Sequence, residues 1–234
     1  MIPDRPRTVG HRGASALAPE NTLLAVERAA DGGLDLVEVD VYLSRDGQLV
    51  CTHDADLGRV AGRSEVVAAL SADELARVDL GSRQGVPRLA DVLALAHDRA
   101  IGVYVELKGE NTGAALGQLV RSGGVTGVEI IGGSFDLSLV QALRDVAPQI
   151  PRSVLFARAS AAAMSKICTS VGALYAHPCF RPLDRPLVDE LHAAGLLVMA
   201  PHTNDPAEAE RFAAAGIDVL ATDDPAVLRP IMLR

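Results

Sequence analysis

Eight apolar, β-rich stretches alternate with amphipathic ones along a chain of 234 residues, and acids, bases or cations gather at the ends of four of them. Proline and glycine punctuate the stretches at the places where helices start and stop. Together these observations predict an α/β fold of strand–helix units around a parallel sheet, and eight strands is the number that closes a (β/α)8 barrel.

In chain order the expected strands are Arg7 to Gly10, Asp35 to Val41, Ile101 to Leu107, Val128 to Ile131, Arg152 to Phe156, Ala173 to Ala176, Leu196 to Ala200 and Asp218 to Ala221. Asp184 before Arg185-Pro186, Asp205 before Pro206 and Asp224 before Pro225 read as N-caps followed by proline in the first helical turn. Ser71 to Glu74 has the spacing of a capping box, and Gly195 and Gly216 stand where helices should end. One region breaks the rhythm. Arg45-Asp46-Gly47 signals a turn, so Gln48 to Thr52 should fold back as a hairpin and return His53 to the carboxyl ends of the strands. The excursion from Asp54 to Val86 is too long for a simple connection. It is expected to belong to an insertion of about residues 44–87 that caps the site within one domain spanning 1–234.

Composition narrows the function. A chain 49% hydrophobic and 22% charged is globular, and no apolar run approaches the roughly 18 residues that span a bilayer. The first strand begins too early for a secretory signal, which places the expected protein in the cytoplasm without stable membrane insertion. A formal charge of -8 without a basic cluster argues against nucleic acid or an anionic membrane as partner. Cys51, Cys168 and Cys179 are odd in number and lack metal-type spacing, so they read as reduced thiols.

The chemistry-bearing residues start at Gly10-His11-Arg12-Gly13, a proton-transfer group and a fixed cation between two glycines. Glu38 and Asp40 are two residues apart in a strand and therefore share a face, and Glu106 adds a carboxylate from the next barrel strand. Three hard oxygen donors with no cysteine suit Mg²⁺ or Ca²⁺; the competing reading is solvated strand ends or ion pairs with Lys108. His11 and His53 are the candidate acid and base, with Arg12 and Lys108 available to hold an anion. The combination describes metal-assisted cleavage of a phosphate ester. His177 and His202 are further candidates for contact with substrate, each set against a rim histidine that only makes hydrogen bonds or faces solvent.

At these residues the chain resembles the glycerophosphodiester phosphodiesterases. The resemblance rests on His11-Arg12-Gly13, Ala18-Pro19-Glu20-Asn21-Thr22, Glu38-Val39-Asp40, Asp46-Gly47, His53-Asp54, Leu70 to Leu75, Glu106-Leu107-Lys108, Ser134-Phe135 and Ala221-Thr222-Asp223-Asp224-Pro225, which run through nearly the whole chain. It implies a (β/α)8 TIM barrel that hydrolyses small-molecule glycerophosphodiesters to glycerol 3-phosphate and an alcohol. It also implies His11 and His53 as general acid and base, a divalent cation, Mg or Ca, on Glu38, Asp40 and Glu106, and phosphate on Arg12 and Lys108. Glu20 and Asn21 are read as structural, with Asn21 or Thr22 capping the first helix. The chain departs from the family where relatives carry Trp-Thr-Val-Asn and it has Pro201-His202-Thr203-Asn204, with no tryptophan anywhere. That change bears on substrate choice. A lysophospholipase D-like activity and a barrel that binds phosphodiesters without turnover are the alternatives.

Overall fold

The computed structural model describes residues 5–123 and 127–233. Among them, one nine-stranded sheet has the order β8-β7-β6-β5-β4-β2-β1-β9, with β3 off this path on β2. Its strands are β1 (Arg7–Gly10), β2 (Leu36–Leu43), β3 (Leu49–Cys51), β4 (Gly102–Leu107), β5 (Ile130–Ser134), β6 (Arg152–Phe156), β7 (Tyr175–Pro178), β8 (Leu197–Val198) and β9 (Val219–Thr222). All pairings along the path are parallel, while β3 runs antiparallel to β2. A parallel bridge between Met199 and Val219 joins the two ends of the path and brings the sheet round into a barrel.

The helices α1 (Leu23–Asp31), α4 (Leu89–Asp98), α5 (Thr112–Arg121), α6 (Leu137–Val146), α7 (Ala161–Val171), α8 (Arg185–Ala193), α9 (Pro206–Ala215) and α10 (Pro225–Met232) follow the barrel strands, and α2 (Gly58–Ala61) and α3 (Ala72–Leu75) lie in the excursion after β3. The expected caps are in place. Asp184, Asp205 and Asp224 each accept from a backbone N–H in the first turn ahead of a proline, and Ser71 and Glu74 form a reciprocal capping box. Gly216 is a left-handed C-cap, and Gly195, also left-handed, sits one residue beyond the C-cap Ala194. No helix among the described residues is long and apolar enough to cross a membrane.

The core is layered as barrel packing requires. Val9, Leu36, Tyr104, Ile131, Leu155, Tyr175 and Val219, one from each of seven strands, fill the inside with Met199 from just past β8. Outward-facing Val37, Val39, Val41, Val103 and Val105 pack under α1 and α4, so the outer faces of β2 and β4 are apolar. The excursion has a core of its own, made by Val50, Leu57, Val67, Leu75, Val78 and Val86.

Of the expected strands only β1 and β6 keep their bounds; β2 runs on to Leu43, β4 starts one residue later, β9 shifts by one residue, and β5, β7 and β8 differ as follows. β5 runs on to Ser134, through Gly132 and Gly133, which have poor strand propensity but leave room where a Cβ would meet Leu143 Cδ2 at 2.3 Å and Tyr104 Oη at 2.1 Å. β7 begins two residues later than expected and continues through His177 to Pro178. Regular pairing in β8 stops at Val198.

Candidate active site

His11 follows β1, and its backbone N–H donates to Thr222 O of β9 at 2.8 Å. The chain turns sharply there, with Arg12 at φ 54° and Gly13 at φ 82°. Left-handed backbone at a non-glycine residue costs on the order of 1–3 kcal/mol and persists only where the surroundings impose it. Here the turn aims the Arg12 N–H at Glu38 Oε2, 2.6 Å away, and Gly13 lets the backbone pass where a Cβ would lie 2.4 Å from that of Ala25.

The parallel register sets Asp40 opposite Glu106 on adjacent strands, and Glu38 two residues back on the same face. Ligand atoms of Glu38, Asp40 and Glu106 all lie within 4.8 Å of one another. Glu38 is 6% exposed and Asp40 1%. Burial, then repulsion from Asp40 and Glu106, pushes the Glu38 carboxyl well above the usual range, and Glu106 is raised by burial and Asp40. Glu38 Oε1 is buried without a hydrogen-bond partner, and so is Glu106 Oε1, although Lys108 Nζ stands 2.7 Å from it as an ion pair. Lys108 also reaches Asp40 Oδ1 at 3.2 Å, while Arg12 Nε lies 3.6 Å from Asp40 Oδ2. Burial alone would lower the Lys108 pKa, but Asp40 and Glu106 outweigh it and hold the amine protonated.

The hairpin carries His53 back as expected: the Thr52 N–H donates to Asp40 O at 3.0 Å, which sets the following histidine beside the carboxylates. His11, Arg12, Glu38, His53, Glu106 and Lys108 line one cavity of about 300 Å³. Tyr104, Leu155, His177 and Met199 also line it, and so do Phe135, Arg181 and His202. All the sequence-predicted site residues except Asp40 therefore face one space; Asp40 lies behind its neighbours. His177 keeps part of its surface open to the cavity, yet burial, with lesser contributions from His11 and His202, lowers its pKa to about 4, so it is neutral near pH 7.

Each candidate catalytic histidine has a carboxylate at Nδ1. Asp223 Oδ1 lies 2.7 Å from His11, and Asp54 Oδ1 2.7 Å from His53. Asp54 is shared with Arg59 of α2, which donates from Nε at 2.7 Å and also pairs with Glu20, itself bonded to Arg12. His11, His202 and Asp223 form a second group whose donor atoms lie within 4.8 Å. There the carboxylate oxygens already accept from Ser15, Asn204 and His11, so this group is satisfied where the carboxylate trio is not.

Two residues are closer to the chemistry than their sequence context suggested. Thr22 is the N-cap of α1, which frees Asn21 to bracket Asp40, donating to Oδ2 at 3.0 Å and accepting from its backbone N–H at 3.0 Å. Glu20 bridges Arg12 and Arg59 and is likewise part of the charged network. Asp223 was legible only as part of a terminal motif whose next residue, Asp224, has an evident capping role.

Residues 11–227 match the family described as glycerophosphoryl diester phosphodiesterase. The chain is 32% identical over 236 residues to the protein YhdW of Bacillus subtilis (strain 168), covering 93% of this chain and 94% of that one. It is 26% identical to a glycerophosphodiester phosphodiesterase of Caldanaerobacter subterraneus, covering 94% and 95%. Among solved structures it is similar to an Oleispira antarctica phosphodiesterase in complex with the product sn-glycerol-3-phosphate, with a TM-score of 0.90, 26% identity and 98% of both chains covered. A glycerophosphodiester phosphodiesterase from Agrobacterium tumefaciens gives a TM-score of 0.82 at 28% identity, covering 97% of this chain and 100% of that one. The barrel, the clustered carboxylates and these likenesses agree: the chain belongs to the glycerophosphoryl diester phosphodiesterase family.

Proposed function

We propose that this protein hydrolyses glycerophosphodiesters to glycerol 3-phosphate and an alcohol, using a divalent cation on Glu38, Asp40 and Glu106. The observation that carries the reading is the buried, unpartnered Glu38 Oε1 within a three-carboxylate cluster that shares a cavity with His11 and His53. A buried carboxylate oxygen without a donor is costly unless a cation satisfies it. Ionised together, the three carboxylates outnumber Arg12 and Lys108 and would repel a phosphodiester anion, and a divalent ion reverses that sign. All-oxygen ligation selects Mg²⁺ or Ca²⁺ over softer metals.

The cation, when bound, supplies Lewis-acid polarisation of a phosphoryl oxygen. Arg12 and Lys108 neutralise the phosphate alongside it. His11 and His53 face the same cavity as general acid and base, one giving a proton to the departing alcohol oxygen and the other taking one from the attacking hydroxyl or water. His177, neutral and hydrogen-bond competent, and His202 contact the substrate's organic part. The insertion of residues 44–87 closes the site on one side, supported by the links from Arg59 to Asp54 and Glu20.

Turnover of glycerophosphocholine, glycerophosphoethanolamine and a lysophospholipid, with and without Mg²⁺ or Ca²⁺, tests the reading. Metal-dependent release of glycerol 3-phosphate is expected. Preference for the lysophospholipid would favour the lysophospholipase D-like alternative, and binding without turnover would leave a phosphodiester-binding barrel.

A further inference from the structure

We propose that Asp223 is a positioning residue for His11: clamped by Ser15 and Asn204, it fixes the proton on Nδ1 and presents Nε2 to the substrate. The role in turnover rests on the proposed function, whereas the tautomer is a property of the resting protein.

The argument starts from what each group can donate. An ionised carboxylate only accepts, so a contact of 2.7 Å between Asp223 Oδ1 and His11 Nδ1 requires the proton on Nδ1. The remaining neighbours of this carboxylate are also donors. Ser15 Oγ, whose one proton is shared between Oδ1 and His11 O at 2.9 Å each, bridges the two residues, and Asn204 Nδ2 donates to Oδ2 at 2.6 Å. Asn204 cannot turn its amide the other way without loss, because its Oδ1 accepts from the Asp223 N–H at 2.9 Å and from Thr222 Oγ1 at 3.0 Å. The side chain that holds Asp223 is thus held by the backbone of Asp223 itself. Although burial opposes ionisation of Asp223, the hydrogen bonds from His11 and Asn204 more than offset it.

The dyad also spans the pairing of the first strand with the last. His11 leaves β1 and Asp223 leaves β9, strands whose register pairs Gly10 with Thr222. The bond from His11 N–H to Thr222 O fixes the main chain of one partner against the other, which keeps imidazole and carboxylate within reach of each other. His202 lies parallel on the His11 ring, leaving little freedom to flip. With Nδ1 committed, any proton exchanged between His11 and the substrate passes through Nε2. His53 has a looser arrangement, because its carboxylate is the next residue in the chain and is shared with exposed Arg59.

The test uses the full-length protein in excess Mg²⁺, and separately in Ca²⁺. Nitrogen-15 imidazole spectra at about pH 8.5, where a free imidazole is neutral, report the tautomer, with the His11 signal assigned by its loss in His11→Gln. The wild type should show His11 protonated at Nδ1, and Asp223→Asn should lose that preference. In Asp223→Asn, kcat with glycerophosphocholine should fall on the order of 10²-fold, the scale of a positioned acid or base. KM should change less than about threefold, and the loss should not add to that of His11→Ala, because the two act as a unit. Asn204→Ala should move both readouts the same way by a smaller amount, and it takes the place of Asp223→Asn if that variant does not fold. A wild-type His11 protonated at Nε2 would overturn the proposal, as would unchanged tautomer and kcat in the folded variants. If the wild type turns over no glycerophosphodiester, the proposed function fails, while the tautomer still decides whether Asp223 sets His11.

Discussion

His202 stacks face to face on His11, with ring centroids 4.0 Å apart and planes within 6°. It comes from the segment Pro201-His202-Thr203-Asn204, and it gives His11 a flat aromatic neighbour. Such a pair contributes roughly 0.5–1.5 kcal/mol beyond its buried area. His202→Ala should therefore lower kcat/KM about two- to tenfold, while His202→Phe, which keeps the flat ring, stays nearer the wild type. If His202 also contacts the substrate, the alanine variant will lose more on substrates with a bulkier or more polar non-leaving group than on glycerophosphocholine. A substrate panel at one metal concentration measures both effects; equal scaling of every rate would limit His202 to supporting His11.

The carboxylate trio sets function against stability. Glu38→Gln removes a proposed cation ligand and should cost on the order of 10²-fold or more in metal-dependent turnover. It also removes one of three clustered negative charges, together with a buried oxygen that lacks a donor. In chelator the variant should consequently melt above the wild type, and adding Mg²⁺ or Ca²⁺ should raise the wild type more than the variant, because only ligand bound to the native state stabilises it. Thermal melts with and without chelator check this, and full activity of the wild type in excess chelator would contradict the metal assignment.

The sequence exposed the barrel because its signals are local: apolar runs of strand length, aspartate–proline helix starts and glycine stops. It also exposed the hairpin, since Asp46-Gly47 signals a turn and the return strand fixes where His53 must fall. The limits of β5 were less legible, as Gly132 and Gly133 look like a loop until Tyr104 and Leu143 are seen to need their missing side chains. The partners of the site residues were harder still. Asp223 lies 212 residues from His11 and meets it only because the last strand, β9, pairs with the first, β1. Asn21 resembled a helix cap because its neighbour Thr22 has the same short polar chemistry, and only the structure shows which of them caps and which holds Asp40.

The depressed pKa of His177 gives a pH dependence of definite sign. An unfolded histidine titrates near 6.5, while the folded one titrates at about 4, so between these values the unfolded chain binds more protons. Stability is therefore fully present above 6.5 and is lost as pH falls towards 4. At about 1.4 kcal/mol per pH unit, the loss between pH 7 and pH 5 is at most about 2 kcal/mol. Urea titrations of the wild type and His177→Gln at the two pH values should show a steeper loss in the wild type. Parallel behaviour would mean that the ring relaxes to accept its proton.

Gly133 ties barrel packing to the candidate cavity through Tyr104 and Leu155, which line it. A Cβ there would sit 2.1 Å from Tyr104 Oη, 2.7 Å from Tyr104 Cζ and 3.1 Å from Leu155 Cδ1. Tyr104 is 1% exposed and cannot swing into solvent, so Gly133→Ala should displace its ring within the barrel interior. Overpacking of this kind costs about 1–3 kcal/mol. The displaced ring would disturb His177, whose Nδ1 is 3.4 Å from the Tyr104 hydroxyl, and narrow the cavity that both residues line. Gly133→Ala should accordingly raise KM as well as lower the melting temperature. Tyr104→Phe in the same chain should recover only part of the stability, because it removes Oη but leaves Cζ within 2.7 Å of the new methyl group. A double-mutant cycle on Tm and KM measures the coupling. Additive effects would show that strand β5 moves to absorb the methyl while Tyr104 stays in place.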